Sequence, residues 1–323
     1  MYNNVKLEKG LYNLAGKTFS QALTEMDPDC NYADGEMKGL DAYERQLKRF
    51  DIKVNGVNSD MVEKFFRTTE SSVLFPEFVR RAVAQGINST ILSRIVAAKT
   101  TTDACDCRGI VLSDGDTAYT TAIDAEGEIP ASSVRLASSI VTLKKYGRVI
   151  NAPYEAVRQQ RLDVFAVALK AVGIQIGKAA AKLAVDTITS GVTADTMTDT
   201  DFSYSELAAF WGKFTDFDMT TVICSPATAA KILAFTEMNK SVVSGEPTSV
   251  KTPFGAEIVV SSAVADTKLI GIDKDFALEM ISGSDIIVDT DKLISSQIDK
   301  TAVTVTVGFS KIVSGAVRVL MVG

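Results

Sequence analysis

The residues of this sequence best suited to chemistry are its cysteines, Cys30, Cys105, Cys107 and Cys224, and the sequence contains no histidine. Without histidine the commonest general base is missing, which excludes Ser-His-Asp, Cys-His and most metal-dependent hydrolytic mechanisms. Cys105 and Cys107 are too close in sequence for an easy mutual bridge, and no second Cys/His pair completes a zinc site. We therefore predict reduced thiols, no catalytic residue and no metal site.

Two further patterns resemble binding motifs. The stretch from Gly10 to Thr18 resembles a phosphate-binding loop, but five residues separate its glycines, where the motif takes four. Aspartate pairs at 114/116, 199/201 and 289/291 could hold a hard cation, yet each lies in a turn-rich stretch where Asp commonly caps the backbone. We predict no cofactor. A cytosolic enzyme with Cys224 or a lysine as nucleophile remains the alternative from another functional class.

Composition sets broader limits. The 323 residues are 46% hydrophobic and 23% charged, as in an ordinary globular protein, and the net charge is −6. A chain this acidic lacks the basic surface with which proteins bind the phosphates of nucleic acid, although it could enclose DNA without sequence-specific binding. The apolar runs are too short to span a bilayer, and the polar start shows no secretory signal. We predict a cytosol-like compartment and no membrane partner.

The first predicted part of the chain is an N-terminal arm. Residues 1 to about 70 are polar and turn-rich, with Asp27-Pro28-Asp29 as a breaker and a helix near Leu40 to Phe50, which predicts an extended arm carrying short helices. A second helix is predicted from Phe75, where apolar residues including Phe78 share one face. Phe75 and Phe78 are candidate contacts with a neighbouring subunit.

A long β-hairpin is predicted from Ser113 to Leu143, with its turn near residues 126–128. Its apolar content is too thin for a core of its own, so it must pack on something else, and a neighbouring subunit is the natural candidate. The hairpin is acidic: it contains the candidate contact residues Asp124, Glu126 and Glu128, and its single basic residue, Arg135, is a further candidate. Docking on a basic surface with Lys144, Lys145 or Arg158 of the next subunit is one hypothesis, and a merely soluble hairpin is the other.

The strongest local pattern predicts a helix over residues 163–190, about 40 Å long and followed by Gly191 at a position where helices commonly stop. Gly173 and Gly177 lie at the centre of its apolar stripe, which suggests close backbone packing. We predict a sheet as the packing partner, with another helix as the alternative. After a predicted linker at residues 193–201, alternating helices and strands follow up to residue 285, typical of an α+β domain, and the chain ends in strands.

Several segments are informative when taken in order: Phe75-Pro76-Glu77-Phe78, Ile140 to Gly147, the long helix, Cys224 to Ala229, Gly255 to Ser261 and Gly308 to Val322. Together they resemble the major capsid proteins of the Hong Kong 97 bacteriophage type. The resemblance implies an α+β capsid fold. Its parts would be an N-terminal arm (1–112), an E-loop hairpin (113–143), a P-domain with the spine helix at 163–190 (144–199), an A-domain (200–285), and returning P-domain strands with a final A-domain strand (286–323).

The resemblance also implies a function. Such subunits self-assemble as pentamers and hexamers into an icosahedral shell around double-stranded phage DNA, with portal and possibly scaffolding or decoration proteins as partners. They assemble in the host bacterial cytoplasm and remain in the virion capsid. Some members join an E-loop lysine covalently to a neighbour, but residues 113–143 contain no lysine. We predict no such isopeptide link, unless Lys144 or Lys145 substitutes.

Two expectations accompany this function. Some members lose an N-terminal scaffolding segment to a protease, whereas this chain begins at Met1, so we expect its arm to be retained and ordered by neighbouring subunits. The alternative on the same fold is an encapsulin-type nanocompartment shell, which would hold an enzyme cargo in place of a genome.

Overall fold

The computed structural model describes residues 4–14, 16–112, 133–153, 158–240, 250–283, 286–293, 295 and 298–322. The α-helices are α1 (Phe19–Met26), α2 (Ala42–Arg49), α3 (Thr69–Ser72), α4 (Phe75–Asn88), α5 (Leu92–Ile95), α6 (Leu162–Thr189), α7 (Tyr204–Trp211) and α8 (Pro226–Leu233). The strands are β1 (Ala98–Thr101), β2 (Asp106–Cys107), β3 (Ile110–Leu112), β4 (Val134–Leu136), β5 (Val141–Thr142), β6 (Lys144–Pro153), β7 (Ala194–Thr196), β8 (Thr221–Cys224), β9 (Val250–Lys251), β10 (Glu257–Val260), β11 (Lys268–Ile272), β12 (Leu278–Ser282), β13 (Ile287–Leu293), β14 (Ile298–Lys311) and β15 (Val317–Met321).

The chain forms two compact units. Unit 1 contains Met1–Ile87, Gly147–Ile176 and Asp285–Val305; unit 2 contains Asn88–Tyr146, Gly177–Ser284 and Thr306–Gly323. Helix α6 and strand β14 contribute residues to both. This division does not follow the expected boundaries at 112, 143, 199 and 285, which stay a prediction.

Helix α6 confirms the predicted spine helix, displaced by one residue at each end. It is followed by Gly191, whose φ of +70° is a left-handed conformation suited to a helix end. In unit 1 its Gly173 packs on α4: a Cβ there would lie 3.0 Å from the Gly86 Cα and closer still to the Val83 carbonyl oxygen. The predicted sheet partner was therefore wrong at Gly173, because the glycines let two helix backbones approach each other instead.

The N-terminal segment of unit 1 has a buried core, in contrast to the extended arm expected from its polar, turn-rich sequence. Phe65, Phe75 and Phe78 form an aromatic cluster with Phe165 of α6; the Phe75 and Phe165 rings stack with centroids 6.2 Å apart. Phe75 and Phe78 are each only 7% exposed. They are core residues of one subunit, and little of their surface is left for a neighbour.

Two buried ion pairs hold this segment together. Arg45, fully buried, donates from Nε to Asp27 Oδ2 at 2.6 Å and from Nη2 to the Asp27 carbonyl oxygen at 2.6 Å. Asp27, interpreted from sequence as part of a breaker, is thus the partner of a core arginine. A buried pair needs such complete hydrogen bonding, since both charges have left water.

The second buried carboxylate is Glu77 of α4, which is 0% exposed. It accepts from Arg80 Nε at 2.7 Å, from Arg81 Nε at 2.8 Å and from Ser20 Oγ at 2.7 Å. Burial alone would raise the pKa of Glu77, but hydrogen bonds and charge from Arg80, with those of Arg81 and Ser20, outweigh it and lower the pKa. The Arg80-Arg81 pair therefore neutralises an internal charge.

Among the described residues, one sheet has the strand order β1-β12-β14-β13, with β6 also paired to β14. In unit 2, β12 pairs antiparallel with the second half of β14 and β1 lies parallel to β12. In unit 1, β13 pairs antiparallel with the first half of β14. Asp289 and Asp291 lie within strand β13, not in a turn as expected from sequence.

The second sheet belongs to unit 2 and has the order β7-β15-β11-β8-β10-β9. Helices α7 and α8 cover it through buried Leu207, Phe210 and Ile232, which pack with Val222 and Leu269 of the sheet. The helices and strands expected here from sequence are present within a few residues, which confirms the α+β pattern. Strand β7 lies inside the stretch from residue 193 to 201 that the sequence indicated as a linker.

Candidate functional site at the hairpin base

The predicted hairpin is present at its base. Strand β2 pairs antiparallel with β5, and β3 with β4. Pairing thus begins at Asp106, earlier than the predicted start at Ser113, while the predicted turn lies outside the described residues. The base lies close against β14, because a Cβ on Gly308 would lie 2.7 Å from Leu143 Cδ2 and 2.8 Å from Val141 Cγ1.

One face of the β3–β4 ribbon is apolar and exposed. Ile110 and Leu136 are direct partners across the ribbon, and Val134 shares their face two residues along β4. Their exposed fractions are 51%, 66% and 67%. Contiguous exposed apolar side chains mark a surface that contacts another molecule. Ile110 was not predicted from sequence, because the predicted hairpin began after the short apolar run Ile110-Val111-Leu112.

The charged residues proposed as subunit contacts are distributed over the chain. Arg135 is exposed on β4, and Lys144 and Lys145 are exposed at the start of β6, all in unit 2. Arg158, half-buried, precedes α6 in unit 1. The acidic candidates Asp124, Glu126 and Glu128 lie outside the described residues.

A groove of about 500 Å³ lies beside the hairpin base within unit 2. Its lining comes from three places: Val111, Arg135, Leu136, Ala137, Ser138, Ser139 and Val141 of the hairpin, Thr187 and Ser190 at the end of α6, and Phe309, Ser310, Lys311 and Ser314 at the end of β14. Lys311 Nζ donates to the Ser190 carbonyl oxygen at 2.6 Å. Burial lowers the pKa of Lys311. Sequence patterns gave no indication of this groove, since its walls come from three separate stretches of the chain, at 111–141, 187–190 and 309–314.

The thiols do not form a reactive site. Cys224 is fully buried in the core of unit 2, and burial raises its pKa to about 11. A thiol in that state is a poor nucleophile at neutral pH. In the described part of the chain, no three potential ligands come together in a way that could hold a metal ion.

Within the described ranges, helix α6 is long and apolar enough to cross a membrane by length and composition alone, which corrects the expectation from sequence that every apolar run is too short. Long helices of protein cores share that composition, and here Leu169 and Ile176 are buried against protein. Val164 and Val167, in contrast, are 56% and 68% exposed. The start of α6 therefore offers a second exposed apolar surface.

Comparisons with known proteins agree with this architecture. A family model described as phage capsid protein matches residues 136–309. The structure is similar to a virus-like particle from Pyrococcus furiosus, with 15% identity, a TM-score of 0.54 and coverage of 76% of this chain and 98% of that one. It is also similar to the capsid of an empty GTA particle, with 10% identity, a TM-score of 0.54 and coverage of 72% and 89%. A structure from Microbacterium phage Oxtober96 matches with 14% identity, a TM-score of 0.50 and coverage of 72% and 90%. No curated protein matches the chain.

Proposed function

Since the chain belongs to the phage capsid protein family, we propose that it self-assembles as pentamers and hexamers into an icosahedral shell around double-stranded phage DNA. Its α+β fold is of the Hong Kong 97 type, as the similar solved capsids confirm. Membership of the family gives it a structural role in the virion capsid, built by self-association. We propose in addition that the subunits form pentamers and hexamers, that the shell encloses DNA, and that it assembles in the host cytoplasm.

The observation that carries the proposal is the exposed apolar face of Ile110, Val134 and Leu136 at the hairpin base. A monomer gains nothing by exposing such a face, whereas a shell subunit buries it against a neighbour. We further propose that the acidic hairpin residues Asp124, Glu126 and Glu128 contact basic residues of the next subunit, with Lys144, Lys145 and Arg158 as candidates.

Electron microscopy of the purified chain tests the shell directly. Closed, uniform particles are expected, and a stable monomer that never closes into particles would refute the proposal. Rising salt should weaken assembly if charge pairs between subunits contribute to it, because salt screens the attraction between exposed charges and shortens its range, to about 10 Å at 0.1 M. Assembly insensitive to salt would leave only the apolar contact.

We propose a shell without isopeptide links between subunits. The support is the absence of lysine from residues 113–143; Lys144 and Lys145 at the base are the nearest substitutes. A denaturing gel of assembled particles should show a single band at the 34.6 kDa of the monomer. A covalent ladder would contradict this.

The interior is the remaining part of the proposal. The net charge of −6 suits a shell that encloses DNA without sequence-specific binding, with portal and possibly scaffolding or decoration proteins as further partners. The alternative is an encapsulin-type shell with protein cargo. Nuclease-protected DNA in particles from infected cells is expected, and an enzyme carrying a docking peptide in its place would favour the alternative.

A further inference from the structure

A second groove lies within unit 2, between the start of α7 and the end of α8. Its volume is about 530 Å³, in the range of pockets that take a small ligand or a single large side chain. Three of the residues that line it are aromatic, namely Phe202, Tyr204 and Phe235. We call this space the aromatic groove.

The three rings of the aromatic groove meet at an angle. The Phe235 ring centroid lies 5.5 Å from that of Phe202, with the ring planes inclined by 55°. It lies 6.4 Å from the centroid of Tyr204, with the planes inclined by 77°. Phe202 and Phe235 pack with one side against the core of unit 2, and all three side chains are half-buried. The rings therefore form an angled wall that presents aromatic surface to the groove.

The charge in the lining is negative. Glu237 is the one charged residue among the described residues that line the groove, and it is exposed. Its Oε2 accepts a hydrogen bond from Thr236 Oγ1 at 3.1 Å, and it forms no ion pair with another described residue. An aromatic face attracts a cation, and a carboxylate beside it adds to that attraction. The lining therefore suits a cationic group.

The helix ends at the groove agree with a cation. Helix α8 ends at Leu233, so the carbonyl groups of its last turn carry partial negative charge. The start of α7 carries partial positive charge, but the Ser203 hydroxyl accepts a hydrogen bond there from the Glu206 backbone N–H at 3.4 Å. The buried carboxylate of Glu206 in the same first turn offsets the rest. Lys231, four residues before Phe235, is exposed and does not line the groove.

We propose that the aromatic groove binds the side chain of an arginine on a basic segment of another protein. A guanidinium group is planar, so it stacks on an aromatic ring and also pairs with a carboxylate through two parallel hydrogen bonds. Phe235 and Glu237 offer these two partners side by side, whereas a lysine ammonium would use the charge alone. The net charge of −6 favours a basic partner over a second acidic copy. The inference goes beyond the proposed shell and does not depend on it.

Proton NMR of a short peptide, with one arginine among glycine and serine residues, tests the ligand. Adding the purified chain should shift the arginine Cδ protons upfield, because protons over an aromatic face are shielded. A citrulline peptide, which keeps the shape and loses the charge, should bind about tenfold more weakly. A lysine peptide should also bind more weakly than the arginine peptide. Equal binding of the citrulline peptide, or tighter binding of the lysine peptide, overturns the inference.

Variants of the chain locate the site. Glu237→Gln should weaken binding of the arginine peptide about threefold, since an exposed carboxylate contributes modestly. Asp216→Asn is the matched control, because it also neutralises one exposed carboxylate of unit 2 but does not line the groove. It should bind the peptide like the wild type. An unchanged dissociation constant for Glu237→Gln contradicts the site.

The aromatic wall is tested separately. Phe235→Leu keeps an apolar side chain and removes the central ring, so the upfield shift of the bound arginine should be lost. Tyr204→Leu is the second variant, used if circular dichroism shows that Phe235→Leu does not fold, and it should reduce the shift. A folded variant that gives the wild-type shift refutes stacking in this groove.

Comparing free subunits with assembled particles identifies the occupant. If another protein supplies the arginine, the groove stays open in the shell, and the peptide binds particles and subunits alike. Loss of peptide binding on assembly would assign the groove to a second copy; the inference then fails while the proposed shell function stands. If the chain forms no particles, the proposed function fails, and peptide binding to the subunit still decides this inference.

Discussion

Replacing Gly86 or Gly173 by alanine is expected to destabilise unit 1, where helices α4 and α6 cross. A Cβ at Gly86 would lie 2.9 Å from the Gly173 Cα and closer still to the Lys170 carbonyl oxygen. A Cβ at Gly173 meets the Val83 carbonyl oxygen and the Gly86 Cα in the same way. Since every obstacle is backbone, no side chain can rotate aside and the two helices must separate.

The magnitude follows from two opposing effects. Alanine favours a helix over glycine by about 1 kcal/mol. Overpacking costs about 1–3 kcal/mol, and the upper end applies here because the obstacle is backbone on both helices. We expect a net loss of about 2 kcal/mol for each variant, or about 4–8 °C in melting temperature. The double variant should lose less than the sum, because both substitutions open the same gap.

The assay is thermal unfolding of unassembled subunits, followed by circular dichroism at one protein concentration, since association raises apparent stability. Gly10→Ala is the matched control: a Cβ at Gly10 meets nothing within 4 Å, and the change should be neutral or stabilising. Equal melting temperatures for Gly86→Ala, Gly173→Ala and the wild type would refute the close approach of the helices.

Three other predictions concern buried groups. Glu77→Gln should destabilise the chain by about 3 kcal/mol in a urea titration, because Arg80 and Arg81 keep their charges beside a neutral amide; a loss below about 1 kcal/mol would contradict this pairing. Because the pKa of Glu77 is lowered, its stabilisation is present above the usual value of 4.5 and is lost as the pH falls through the lower folded value. Wild-type stability should therefore fall more steeply below pH 4.5 than that of Glu77→Gln, and parallel profiles would argue against the shift. Iodoacetamide at pH 8 should label exposed Cys105 quickly and Cys224 hardly at all, since burial raises the pKa of Cys224 to about 11; equal labelling by mass spectrometry would refute its burial.

The position of the long helix could be predicted from sequence because its information is local. Apolar residues at 3.6-residue spacing and a glycine at its end bounded α6 to within one residue. The strands of unit 2 were predictable for the same reason, since alternation and turn residues act over a few positions. In each case the physical cause, burial of one face, leaves a periodic trace in the chain.

The partner of the helix could not be predicted in this way. The spacing of Gly173 and Gly177 predicts that some backbone comes close, but a sheet and a helix satisfy that condition equally well. The structure shows α4, because Gly86 stands opposite Gly173. The close approach of two helices at two glycines 87 positions apart leaves no periodic pattern in either segment.

The N-terminal segment shows the limit most clearly. Its polar residues and breakers predicted an extended arm, yet Asp27 is the buried partner of Arg45. Glu77 is also buried and accepts hydrogen bonds from Arg80, Arg81 and Ser20. A charged residue looks the same in sequence whether it faces water or an internal counter-charge. Only the tertiary structure distinguishes the two.

The class of protein could be inferred from sequence: the α+β pattern, the long helix, the absence of histidine and the resemblance to phage capsid proteins all belong to it. Which surfaces are exposed became known only from the folded chain, namely the apolar face of the hairpin base and the groove lined by Lys311. Periodicity and composition are properties of neighbouring residues. A groove or an ion pair is made by residues that only folding brings together.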